Sequence, residues 1–207
     1  MPSPEFAIKA FFTLFVVVDP IGLVPVFIAL AGHRSPATQA RYSRRAVLIA
    51  GGVMVAFAIV GGPLLEYLGI SVAALQIAGG ILLFKIALDM VYAQVRRETA
   101  EEEVENRAKE DVSVFPLAIP LIAGPGTLAS VLILVGGTGG NRADFAIVLL
   151  MGVVVLLLAY LFLRLSTRIA KLLGQTGINV VTRVLGLILA ALSVQYVADG
   201  VTTLLRA

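Results

Sequence analysis

The chain has 207 residues, of which 59% are hydrophobic and only 14% charged, with a mean hydropathy of +0.99; that composition excludes an ordinary soluble domain and points to an integral membrane protein. No cysteine and a single histidine, His33, exclude disulfides, thiolate metal sites and most imidazole-based metal or acid–base schemes, so no metal and no cofactor are expected. A net charge of +3 is too small to argue for nucleic acid, and the basic residues are better read through their distribution between loops.

A bilayer core about 30 Å thick takes about 20 apolar residues per helical crossing. Runs of that kind cover residues 6–31, 46–65, 69–94, 112–136, 143–165 and 178–205. The expected fold is therefore an all-α membrane protein of six transmembrane helices, a single transmembrane domain with no separate soluble part. Loops after the first, third and fifth spans carry Arg34, Arg41, Arg44, Arg45, Arg96, Arg97, Arg107, Lys109, Arg164, Arg168 and Lys171, whereas the opposite side has Lys9, Arg142 and Arg206. The positive-inside rule places the arginine-rich loops in the cytoplasm and both termini outside the cell membrane. Glu98, Glu101, Glu102, Glu103 and Glu105 do not overturn this, because acidic residues contribute little to orientation. They read as part of a solvated, charged cytoplasmic linker over residues 96–111, between a first half at 1–95 and a second at 112–207.

The first and fourth spans differ from the others in carrying proline and glycine mid-run: Asp19, Pro20, Gly22 and Pro25 in one, Pro116, Pro120, Gly124, Pro125 and Gly126 in the other. Pro20 and Pro125 each fall near the middle of their run, close to the bilayer midplane. Each lacks an N–H and displaces the carbonyl four residues earlier, which frees those of Val16 and Leu121. In hydrocarbon such groups must find protein, water or ligand. A shift of 105 residues lays Pro20 on Pro125, and one of 107 lays Gly79 on Gly186. Three spans being an odd number, the second copy enters from the opposite face. The expected architecture is a 3+3 inverted repeat with a discontinuous helix opening each half, which is the sequence pointer to a midplane transport site.

The segments DPIGLVPVF (19–27), LQIAGGILLFKIAL (75–88), PLAIPLIAGPGTLAS (116–130) and RVLGLILAALSVQYVADG (183–200) resemble the MarC family of small membrane proteins. The resemblance runs through all six spans in order. It implies a multi-span transporter, because archaeal SnatA-type members carry small neutral amino acids such as glycine and alanine.

From the residues themselves, a small zwitterion is expected to bind between the two breaks. Asp19 stands where an N-cap residue would, with Pro20 at the first helical position, Ile21 and Gly22 following; it repels anions from that half-helix. At Gly124, Pro125 and Gly126 no side chain competes, so the N–H groups of Gly126, Thr127 and Leu128 are expected to receive the substrate carboxylate. The ammonium then lies toward Asp19 and the freed carbonyls. Thr127 and Ser130, three apart on one helical face, are secondary contacts, and Gln76 is a further candidate. Asp19, an ionisable group at midplane, is also the candidate proton carrier. Lys85 and Asp89 read as a structural pair one turn apart, Arg183 as snorkelling to the cytoplasmic side, and the glycine pairs as close-packing positions.

The function expected is secondary transport, by symport with a proton or sodium ion, and the alternative is a passive channel or an exporter of another small polar metabolite. An enzyme is not expected: the spans hold no nucleophile–base pair and no second deep acid opposite Asp19. The partners expected are the amino acid substrate, the coupling ion and the lipid bilayer, with homo-oligomerisation left open.

Overall fold

Apolar runs of membrane length hide their backbone polar groups only by hydrogen-bonding within the segment, so helices are the expected outcome. The computed structural model describes residues 4–92 and 111–206, and among these all regular structure is helical: α1 (Pro4–Val18), α2 (Leu23–Ala31), α3 (Pro36–Tyr67), α4 (Val72–Tyr92), α5 (Ser113–Ile122), α6 (Pro125–Gly136), α7 (Arg142–Arg164) and α8 (Ser166–Arg206). Four of them, α3, α4, α7 and α8, are long and apolar enough to cross a membrane singly. The pairs α1 with α2 and α5 with α6 qualify as bent spans, angled by 40° and 51°. The two breaks therefore fall where the prolines and glycines put them. The charged linker expected at residues 96–111 lies outside the described residues except for Asp111.

Helix starts correct two of the expected boundaries. α3 begins ten residues before position 46, because Ser35 caps it by accepting the Thr38 N–H at 3.3 Å with Pro36 in the first turn, a start signal stronger than the onset of apolarity. Arg41, Arg44 and Arg45 thus ride on the helix rather than in a loop. α8 likewise begins at Ser166, well before 178, and its axis is interrupted at Gly174, where φ is 63° and ψ 174°. Glycine reaches that conformation freely, so Arg168 and Lys171 sit on a short helical stretch ahead of the long one.

The most extensive interface joins α4 to α8. The two run antiparallel: a Cβ on Gly200 would come within 2.7 Å of the Ala73 carbonyl oxygen, one on Gly80 within 2.8 Å of that of Ser193, and one on Gly186 within 3.1 Å of that of Ala87. Backbone touches backbone along the crossing, as small residues permit between membrane helices. α1 packs on α7, and α3 on α5, α6 and α7. α4 thus pairs with α8, while α1 lies against α7 and both α5 and α6 lie against α3. Leu14, Phe27, Tyr42, Leu117, Ile122 and Leu163 fill the middle of this bundle. The outward-facing Leu48, Ile81, Leu150, Leu157 and Leu187 form an apolar exterior, which hydrocarbon solvates at no penalty.

Candidate functional site

The break between α1 and α2 is a turn, Asp19–Gly22, and the sequence dictates its form. Pro20 has no N–H to continue α1. Asp19 turns the chain with φ 45°, a left-handed conformation that aspartate tolerates better than most residues. Its carboxylate Oδ1 accepts the Gly22 N–H at 3.0 Å and its carbonyl accepts the Leu23 N–H at 3.1 Å. These are the bonds of an N-cap, although regular helix starts only at Leu23. Gly22 is required by contact: a Cβ there would lie 2.0 Å from Asp19 Oδ2.

The second break has no such carboxylate. α5 is an irregular, widened helical stretch in which Leu117 N–H and Ala123 N–H bond five residues back, to Val112 and Ala118, at 3.4 and 2.8 Å. Phe115 and Ile119, each before a proline, leave helical geometry altogether, as the residue preceding proline is disposed to do. α6 then starts at Pro125 with Gly124 at its cap position, and no side chain caps it. The Leu128 N–H, expected to be available, is taken by the Gly124 carbonyl at 3.0 Å. That leaves the amides of Gly126 and Thr127 as the uncapped pair at the positive end of a twelve-residue helix. The Thr127 hydroxyl reaches back across the break to the Ile122 carbonyl at 2.9 Å, so its proton is committed and only its lone pairs face outward. Neither Gly124 (φ −82°) nor Gly126 has a positive φ; they are glycines because of contact, with a Cβ at 124 falling 2.3 Å from the Pro120 carbonyl oxygen and one at 126 falling 2.5 Å from Ile86 Cδ1.

Both breaks open into one cavity of about 280 Å³, lined by Asp19 and Gly22 from the first and by Leu121, Gly124, Pro125, Gly126 and Thr127 from the second. Residues more than a hundred apart in sequence thus share one space, with Asp19 half-buried at its edge. Four expected site residues do not line it. Pro20 and Ile21 shape the turn from behind. Gln76 is half-buried toward the far end of α4. Ser130 is fully buried among the helices, its Oγ without a hydrogen-bond partner, because one turn beyond Thr127 the α6 face already packs against neighbouring helices instead of space.

The structure adds residues the spacing argument missed. Asp89, Ile86 and Met90 of α4 and Asn179 and Thr182 of α8 also line it. Asp89 does pair with Lys85, Nζ to Oδ2 at 3.2 Å, as the i,i+4 spacing predicts, but it also faces the cavity; a second acid does share the space of Asp19, contrary to expectation. Periodicity on α4 assigned Asp89 to Lys85 and could not show what α8 brings opposite. The lining residues come from the two breaks and the helix ends flanking them, from the last turns of α4, and from α8 beyond Gly174. Beyond the breaks, on the other side, Thr13 of α1 and Tyr196 of α8 are both buried, with their hydroxyls 3.4 Å apart, and Lys9 Nζ lies 5.8 Å from the Tyr196 ring centroid. At the basic end, Arg45 of α3 forms an ion pair with Asp111, which also accepts the Ser113 N–H at 3.0 Å and the Ser113 hydroxyl. Partial burial works to raise the Asp111 carboxyl, but the Ser113 bonds together with Arg45 and Arg41 outweigh it and hold the group below its ordinary value.

A family model described as MarC family integral membrane protein matches residues 4–205. A UPF0056 membrane protein of Archaeoglobus fulgidus is 36% identical to this chain, over 95% of it and 92% of the relative. The UPF0056 membrane protein YvbG of Bacillus subtilis is 37% identical over 95% and 94%, and the UPF0056 membrane protein YhcE of Escherichia coli 32% identical over 93% and 90%. No solved structure matches.

Proposed function

The chain belongs to the MarC family of integral membrane proteins, and from that premise we propose that it is a secondary transporter of small neutral amino acids, glycine- or alanine-like, coupled to a proton or sodium ion. One observation carries the reading. Two helix breaks of opposite electrostatic character border a single cavity: the α6 N-terminus offers uncapped amides, while at the start of α2 the Asp19 carboxylate takes the Gly22 N–H and the carbonyls of Asp19 and Ile21 take those of Leu23 and Val24. A zwitterion fits that polarity, its carboxylate on the Gly126 and Thr127 N–H groups and its ammonium toward Asp19 and the carbonyls of the breaks. A plain anion meets Asp19, and a plain cation meets the positive end of α6.

Apart from the breaks and the helix ends flanking them, the cavity is lined from the last turns of α4 and from α8 near Thr182, toward the end of the bundle that the positive-inside rule makes cytoplasmic, while the buried Thr13–Tyr196 contact lies on the other side of the breaks. That favours a carrier with alternating access over an open pore. The reciprocal pairing of α4 with α8, of α1 with α7 and of α5 and α6 with α3 is what an inverted 3+3 repeat would give.

The test is uptake into proteoliposomes of purified protein, screened with the common amino acids. Concentrative uptake of a small neutral amino acid, abolished by collapsing the ion gradients, is expected; flux that only ever equilibrates would replace the carrier by a channel. Glycinamide, which lacks the carboxylate, is expected not to compete. Full competition by it would mean that no anion is read at Gly126 and Thr127.

A further inference from the structure

The wall of the cavity away from the breaks has an unexplained feature: the Thr182 hydroxyl is buried and has no hydrogen-bond partner. An orphaned hydroxyl is destabilising unless something completes its bond. Polar side chains share the space with it: Asp89 from α4 and, three residues earlier on α8, Asn179, whose Oδ1 also accepts the Gln175 side-chain N–H at 3.2 Å. Gly186, the next turn of α8, brings that helix against α4, where a Cβ would lie 2.9 Å from Met90 Cβ, so Asp89 and Thr182 are borne by adjacent turns of two tightly crossed helices. Lys85 takes Asp89 Oδ2 but is itself 72% exposed and does not line the cavity, and among the described residues no basic side chain does. Asp19, the other acid, has Oδ1 engaged by its own helix.

A carboxylate, a hydroxyl and an amide oxygen suit a small cation, which would share the Asp89 carboxylate with the Lys85 ammonium. We infer that Asp89, Asn179 and Thr182 form a second subsite that holds a small monovalent cationic group, either a free sodium ion or the ammonium of the bound amino acid, which would then lie on the α4–α8 wall of the cavity and not against Asp19. The inference deepens the carrier reading and rests on it for the ammonium but not for the sodium ion.

The natural absence of cysteine makes the subsite directly readable. Purified Thr182→Cys protein is reacted with methyl methanethiosulfonate in choline chloride, then with alanine or sodium chloride added. At ten times its dissociation constant a ligand leaves the site open about one part in eleven, so labelling is expected to slow about tenfold. Slowing by alanine in choline identifies the ammonium; slowing by sodium chloride alone identifies the ion. Asp89→Asn in the same background is expected to raise the ligand concentration needed about tenfold, with the protein still monodisperse. A thiol that does not react, a rate indifferent to both probes, or an Asp89→Asn variant as sensitive as its parent would overturn the subsite. The two readings separate through thermal stability of the unmodified protein. Stabilisation by alanine without any slowing at position 182 removes the subsite and leaves the carrier; slowing by sodium without any effect of alanine keeps the subsite and removes the amino acid reading.

Discussion

Adding one methyl group at Gly124 is expected to disrupt the second break. A Cβ there would lie 2.3 Å from the Pro120 carbonyl oxygen, against a floor of 3.0 Å for real contacts, so at least 0.7 Å must be opened. The obstructing atom is backbone and cannot swing aside as a side-chain end would. Pro120 also adjoins the non-helical residue Ile119, so the movement passes into the turn that presents the α6 terminus. Overpacking of this kind costs about 1–3 kcal/mol, which for a chain of this length corresponds to about 2–4 °C of melting temperature per kcal/mol. The control is Gly52→Ala, where nothing lies within 4 Å of the added atom and a helical glycine is exchanged for alanine, a change worth about 0.4–1 kcal/mol in the stabilising direction. Melting is followed by size-exclusion chromatography of heated, detergent-solubilised samples, alongside proteoliposome uptake. Gly124→Ala is expected to melt lower and lose uptake, Gly52→Ala to keep both. Equal behaviour of the two variants would refute the argument that contact, and not transmembrane glycine content in general, fixes residue 124.

Asp19→Asn keeps an N-cap acceptor and removes the charge, so it is expected to melt close to the parent yet lose most uptake or its pH dependence. Asp19→Ala removes the bond to Gly22 as well and is expected to lower the melting temperature; normal uptake by it would reduce Asp19 to a cap. Asp111, with its carboxyl held below 3.8, contributes stability that is fully present above the ordinary carboxylate range and lost as pH falls through its lowered value. Asp111→Asn is therefore expected to lower stability at neutral pH, by about 0.2–1 kcal/mol for so exposed an ion pair; thermal melts from pH 7 to pH 3 should show the gap constant down to about pH 4 and closing below. For topology, a C-terminal phosphatase fusion is expected to be active and a C-terminal fluorescent fusion dark; the reverse would move the cavity mouth to the outer face.

Composition marked the chain as a membrane protein and the length of its apolar runs marked it as helical, because a helix pairs its backbone within one segment and needs about 20 apolar residues to cross, where a barrel strand needs about 9–11. Proline and glycine fixed where the first and fourth spans break, since a missing N–H and a steric clash act within a few residues of their source. The capping role of Asp19 was legible for the same reason. Contacts made between segments were not. Periodicity could not tell that Asp89 shares a cavity with Asp19 while still holding Lys85, nor that Ser130 and Gln76 do not line it, because which face of a helix meets space is decided by its neighbours. Glycines 124 and 126 could be marked as permissive, but whether they serve a left-handed backbone or a close approach was decided only when Pro120 and Ile86 arrived beside them. The orphaned hydroxyl of Thr182 belongs wholly to this second kind: one threonine on an apolar helix reads as ordinary until the tertiary structure buries its hydroxyl at a cavity wall and supplies no partner.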